Sequence, residues 1–180
     1  MVKKKAARRF GRAPIIIAII VAAASAVTIA ALSFRNETAP PVEIPSEPLM
    51  SSNVQKSLEA YRGKILVVDF WATWCGPCRM EIPGLVELQN RYRDQGVEII
   101  GVSLDPITPG TGAAAVAPFM KSYGINYTIL MVDSQAAMSG YDVSKGIPTK
   151  YVLDRQGKVV KSYIGARPTS VVENDIKSLL

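Results

Sequence analysis

The chain has 180 residues, 48% of them apolar and 20% charged, a size and composition that suit one globular domain with an appendage. Two cysteines and no histidine exclude a zinc cage built by this chain alone, a Cys-His or Ser-His catalytic pair, c-type haem attachment and a thiolate-imidazole copper site. The net charge of +6 resides in Lys3, Lys4, Lys5, Arg8, Arg9 and Arg12; the fifteen basic and fifteen acidic residues that follow cancel, so the charge points to a membrane surface and not to nucleic acid.

Residues 1–13 therefore read as a cytoplasmic basic tail. Residues 14–34 are uncharged and rich in Ile, Ala and Val, and as a helix they would span about 30 Å, the thickness of a hydrocarbon core. Ala24-Ser25-Ala26 resembles a signal-peptide cleavage site, but Val27, Ile29, Ala30, Ala31 and Leu32 carry the apolar run beyond a signal-peptide core and favour a retained, single-pass anchor. Six basic residues precede the span and Arg35 alone follows it closely, which places the N-terminus in the cytoplasm and the remainder outside. No cysteine lies near the span, which excludes a lipoprotein anchor. Pro40, Pro41, Pro45 and Pro48 make residues 35–50 a semi-rigid spacer ahead of a domain at 51–180.

Within the domain, Ser52 and Gln55 have the spacing of a capping box for a short helix that ends before Gly63. Ile65 to Phe70 is a buried-strand pattern. Ile82, Leu85, Val86, Leu88 and Tyr92 share one helix face, with a kink expected at Pro83 and a stop at Gly96. Val97 to Leu104 is a second buried strand. A loop over 105–112 leads to a helix that ends at Tyr123-Gly124, with Pro118 either kinking it or marking its first turn. Ile129 to Val132 is a short strand and Gln135 to Gly140 a helical turn. Lys150 to Asp154 and Lys158 to Ile164 flank a hairpin signal, and Ser170 with Glu173 caps the last helix. This order predicts an α/β fold with a mixed central sheet and flanking helices, preceded by one transmembrane helix.

Both cysteines fall in Trp74-Cys75-Gly76-Pro77-Cys78, directly after the first buried strand. A disulfide across so short a ring constrains little unfolded-chain entropy, so the pair reads as a site of electron exchange and not as a staple. The segment from Val68 through Cys78 resembles the active-site segment of thioredoxins, and Gly146-Ile147-Pro148-Thr149 resembles their substrate-side loop. Cys75 through Pro83, as Cys-x-x-Cys-x-x-Glu-x-Pro, is similar to the membrane-anchored extracytoplasmic reductases of the TlpA/ResA type. So are the helix end at 119–124, Tyr141-Asp142-Val143 and the hairpin at 157–160. The similarity covers residues 56–180 and implies a thioredoxin fold. Those anchored reductases usually carry Asn where this chain has Asp69, whereas cytoplasmic thioredoxins carry the acid.

On this resemblance Cys75, at the N-terminal edge of a helix where unpaired N–H groups stabilise negative charge, is the expected nucleophile. Cys78, one turn inward, is the expected resolving thiol. Pro77 suits the first helical turn and Gly76 a tight bend. Asp69 in the buried strand and Glu81 on the helix are both candidates to take the Cys78 proton, and the sequence does not choose between them. Pro148 is expected to be cis, presenting Ile147 to an extended substrate segment, and Trp74 to offer an apolar docking surface.

The resulting expectation is a protein-disulfide reductase in the bacterial inner membrane, its soluble domain facing the periplasm or cell exterior. It needs no cofactor or metal. Its partners are disulfide-containing protein substrates, with cytochrome c maturation thiols implied by the family, and a membrane electron donor protein, because the glutathione pool is out of reach there. A thiol peroxidase, a non-catalytic Cu(I)-thiol chaperone and an anchored binding module are the competing readings; the adjacent Cys pair and the lack of a Pro-x-x-x-Thr-x-x-Cys pattern argue against the peroxidase.

Overall fold

The computed structural model describes residues 45–180. The basic tail, the anchor expected over 14–34 and most of the linker lie outside the described residues, among which no helix is long and apolar enough to cross a membrane. Strands β1 (Leu49–Ser51), β2 (Ile65–Trp71), β3 (Val97–Ser103), β4 (Thr128–Val132), β5 (Thr149–Leu153) and β6 (Val159–Ile164) form one sheet in the order β1-β4-β3-β2-β5-β6. The first four are mutually parallel, and β5 and β6 join antiparallel, which is the mixed sheet expected. The helices are α1 (Val54–Leu58), α2 (Gly76–Tyr92), α3 (Val116–Tyr123) and α4 (Thr169–Leu179).

Alternation along β2 sorts the core into two faces. Ile65, Val67 and Trp71 pack with Ile82, Leu85 and Leu88 of α2 and with Val116 of α3 and Val172 of α4. Leu66, Val68 and Phe70 pack on the opposite face with Val54 and Leu58 of α1. All of β2 and β3 is buried, as central strands covered on both sides must be. The same alternation puts Asp69 on the α2 face.

Several local expectations change. Helix α1 begins at Val54, so the cap position falls on Asn53, whose Oδ1 accepts the Lys56 N–H at 2.9 Å, and not on Ser52. The sheet takes in Leu49 and Met50, which composition assigned to the linker, because β1 pairs with β4. Ser170 and Glu173 close no capping box: Pro168 holds the cap position without a side-chain bond. Glu173 instead accepts hydrogen bonds from the Tyr92 hydroxyl at 2.7 Å and from Arg91 at 2.8 Å, which ties α4 to α2. Pro118 lies in the first turn of α3, where its missing N–H breaks no helical bond. Helix α2 runs on through Pro83.

Gly101 of β3 pairs with Asp69, and over it close Trp71 and Tyr127. A Cβ there would lie 2.9 Å from Trp71 Nε1 and 3.3 Å from Tyr127 Cε2, and would collide with Ile129. Gly101→Ala is expected to cost ~1–3 kcal/mol by overpacking, read as a lower urea midpoint at unchanged slope. A wild-type midpoint would refute the close packing.

Candidate active site

Strand β2 delivers the chain to the start of α2, and Cys75 takes the N-cap position there. Its Sγ accepts the Cys78 N–H at 3.2 Å, and Pro77 occupies the first turn, where no N–H is needed. Cys75 and Cys78 are joined by a disulfide, their Cα atoms 5.3 Å apart. The pair lies deeper than the sequence suggested. Cys75, expected at an exposed tip, is 4% exposed and Cys78 is 1%, because the capping sulfur folds back over the helix N-terminus. Exposure belongs to the surrounding Trp74, Gly76, Pro77 and Met80.

The loop before Cys75 is pinned by a residue that carries no recognisable motif. Asp105, fully buried after β3, accepts from the Thr73 N–H at 2.9 Å, from Thr73 Oγ1 at 2.5 Å and from Ser103 Oγ at 2.9 Å. The Leu104 N–H donates to the Trp71 carbonyl at 2.9 Å beside it. On the sequence Asp105-Pro106 reads only as a loop start.

The Ile147-Pro148 peptide bond is cis. Pro148 is buried and its carbonyl accepts the Gly165 N–H at 2.8 Å, while Ile147 is partly buried and packs against the cluster that holds both cysteines. Neither the N–H nor the carbonyl of Ile147 has a backbone partner among the described residues. From α3, Phe119 stacks near Trp71 with ring centroids 5.2 Å apart and receives Arg79 of α2 over its face at 5.6 Å.

Beneath the disulfide three charged side chains are buried together. Asp69 (2% exposed), Glu81 (7%) and Lys150 (1%) come from β2, α2 and β5. Antiparallel pairing sets Lys150 directly across from Asp69. The Lys150 ammonium donates to Glu81 Oε2 at 2.6 Å and lies 3.1 Å from Asp69 Oδ1, close enough for Coulomb attraction but out of hydrogen-bond alignment. The Arg167 N–H donates to Glu81 Oε1 at 2.7 Å. Burial pushes the Asp69 carboxyl up to about 6, with Lys150 opposing and Glu81 adding to the rise. Burial also pulls the Lys150 ammonium down, but the two carboxylates outweigh it and leave it raised. Tyr127, fully buried near both acids, is raised well above its ordinary value.

The AhpC/TSA family matches residues 36–162. The chain belongs to that family. Among its relatives, the thiol-disulfide oxidoreductase ResA of Bacillus subtilis (strain 168) is 31% identical over 172 residues, covering 95% of this chain and 93% of the relative. The ResA of Geobacillus thermodenitrificans (strain NG80-2) is 30% identical over 167 residues, 91% of this chain and 92% of the relative. A thiol:disulfide interchange protein of the thioredoxin family from Chlorobium tepidum TLS superposes with a TM-score of 0.60 at 28% identity, over 77% of this chain and 97% of that one. Within the AhpC/TSA family the chain is thus a thiol-disulfide oxidoreductase of the TlpA/ResA type, on a thioredoxin fold.

Of the expected site residues, Ile147 packs against the cluster that holds Cys75 and Cys78, and Asp69 and Glu81 meet at Lys150, whereas the hairpin at 157–160 follows Arg155, whose carbonyl accepts the Gly63 N–H ahead of β2; Lys150, Asp105 and the Arg167 amide were missed. The sign of the Asp69 effect on stability follows from its raised carboxyl. Below pH 3.8 both folded and unfolded chains hold the proton; between 3.8 and about 6 only the folded chain does, so stability falls as pH rises through that window. Asp69→Asn removes the burden. Its stability relative to wild type is expected to improve by ~2–3 kcal/mol on going from acid to neutral pH, measured by urea unfolding of the disulfide form. A pH-independent difference would show that the acid is not perturbed.

Proposed function

We propose that this protein reduces protein disulfides outside the cytoplasm through the Cys75-Cys78 dithiol, held at the membrane by residues 14–34. The capping contact at the head of α2 carries the reading: the N–H that now bonds Cys75 Sγ is available, with the helix dipole, to stabilise a Cys75 thiolate in the reduced protein. That thiolate attacks a substrate disulfide, forms a bond to one sulfur and releases the other as a thiolate that takes up a proton. Cys78 then loses its proton to a buried carboxylate and attacks Cys75 Sγ. The intramolecular disulfide forms, the mixed disulfide breaks, and the second substrate sulfur departs with its electron pair. Two electrons pass to the substrate and the dithiol is oxidised.

Trp74, Gly76 and Pro77 form the exposed rim on which a polypeptide rests, and Ile147, beside cis-Pro148, has main-chain groups free to pair with it in extended form. Re-reduction outside the cytoplasm requires a membrane electron donor protein. Cytochrome c maturation thiols are the substrate implied by the TlpA/ResA likeness, in a bacterial inner-membrane setting.

With dithiothreitol as donor, the full chain in detergent is expected to reduce insulin, Cys75→Ser to lose that activity by roughly 100-fold or more, and Cys78→Ser to accumulate a mixed disulfide. Retained insulin reduction in Cys75→Ser would overturn the assignment. Peroxide consumption exceeding insulin reduction would favour the peroxidase, and tight Cu(I) binding without either activity the chaperone.

A further inference from the structure

The buried cluster beneath the sulfurs contains two acids and one base, and its partners are shared unequally. Glu81 uses both carboxylate oxygens, one on the Lys150 ammonium at 2.6 Å and the other on the Arg167 N–H at 2.7 Å. Asp69 is more deeply buried, and its Oδ1 has no aligned donor. Charge-assisted and main-chain hydrogen bonds of that kind hold a carboxylate in its ionised form, whereas a buried carboxylate without them favours its proton. We propose that Lys150 divides the labour between the two acids: with the Arg167 amide it locks Glu81 as a fixed counter-ion, and it leaves Asp69 as the carboxylate that takes the Cys78 proton. Lys150 and Glu81 are then positioning residues that act through Asp69. The inference rests on the dithiol reading above and adds which acid serves it and what sets its readiness.

The balance of charge supports the division. With Glu81 ionised and Lys150 protonated, a protonated Asp69 makes the cluster neutral and an ionised Asp69 leaves one uncompensated negative charge in a dry site. The groups that act on Asp69 are Lys150 from β5, Glu81, three residues after Cys78 on α2, and Tyr127 ahead of β4; Gly101 of β3 brings no side chain. Tyr127 stays protonated and Lys150 stays charged, and burial raises Asp69, whose Oδ1 lacks an aligned donor while both Glu81 oxygens have one. Proton uptake from Cys78 is better driven by such a carboxylate than by one held ionised.

The test follows carboxyl carbon-13 resonances of Asp69 and Glu81 through a pH titration of the full-length disulfide form in detergent, alongside the pH dependence of mixed-disulfide resolution. In wild type, Asp69 titrates near 6. Lys150→Met is expected to move the Asp69 midpoint up by about one pH unit or more, and Glu81→Gln to move it down, because Lys150 then turns to Asp69 alone. The inflection in resolution rate follows the Asp69 midpoint, persists in Glu81→Gln and disappears in Asp69→Asn. An Asp69 midpoint unmoved by either substitution, or a resolution inflection that persists in Asp69→Asn, overturns the proposal. If Lys150→Met fails to fold, the downward shift in Glu81→Gln decides. The carboxyl titration requires no turnover, so a protein that titrates as stated yet leaves insulin untouched sinks the reductase reading and not the charge division.

Discussion

A single hydrogen bond, from the Cys78 N–H to Cys75 Sγ, joins the chemistry of this protein to its architecture. It places a sulfur where a serine or aspartate would otherwise cap the helix, so the group that reacts is also the group that ends the unpaired N–H series of α2. Everything around it serves to hold that helix end at one point over the sheet. Strand β2 is fixed on both sides, by β3 in parallel and β5 in antiparallel register. Asp105 then fastens Thr73 to the end of β3, so the three residues between β2 and Cys75 have little freedom left. A sulfur so constrained reacts from one geometry, which lowers the entropy lost on forming a mixed disulfide.

The site is also divided by depth. Trp74 and Pro77 are at the surface, whereas the two sulfurs and the three charged side chains are buried. In the proposed reaction only the rim meets a partner, and the protons of the sulfurs are handled in a region of low dielectric, where small displacements of charge have large effects on proton affinity.

Much of this was legible in the sequence for a local reason: contiguous motifs encode contiguous structure. The strand-loop-helix of residues 65–92, the Ile-Pro turn and the hairpin at 154–159 all announce themselves through periodicity and turn residues within a dozen positions. The misses share the opposite character. Lys150 alternates with Thr149 and Tyr151 as a solvent-facing strand residue would, and only antiparallel pairing across some eighty positions of chain puts it against Asp69. Asp105 acts on Thr73 across thirty-two positions, and Arg167 acts through its main chain, which no side-chain pattern can reveal. The helix caps failed more modestly, because a run of Ser51, Ser52 and Asn53 offers three adjacent candidates and the strand before α1 decides which one is used.

A buried lysine in a central strand runs against the rule that core strands are apolar, and two buried acids compound the violation. Such clusters stabilise poorly compared with apolar side chains of the same volume, since the desolvation of three ions is only partly offset by their attraction. The cluster sits directly below the only two cysteines, on the face of β2 that packs against their helix, and the rest of that face is conventional: Ile65, Val67 and Trp71 against Ile82, Leu85 and Leu88. A local breach of packing logic confined to the reacting end of an otherwise consistent sheet is the pattern expected where stability has been traded for function. The acid that the chain carries at position 69 is thus coherent with the lysine at 150. Burial raises the carboxyl at that depth, and the cross-strand ammonium opposes the rise.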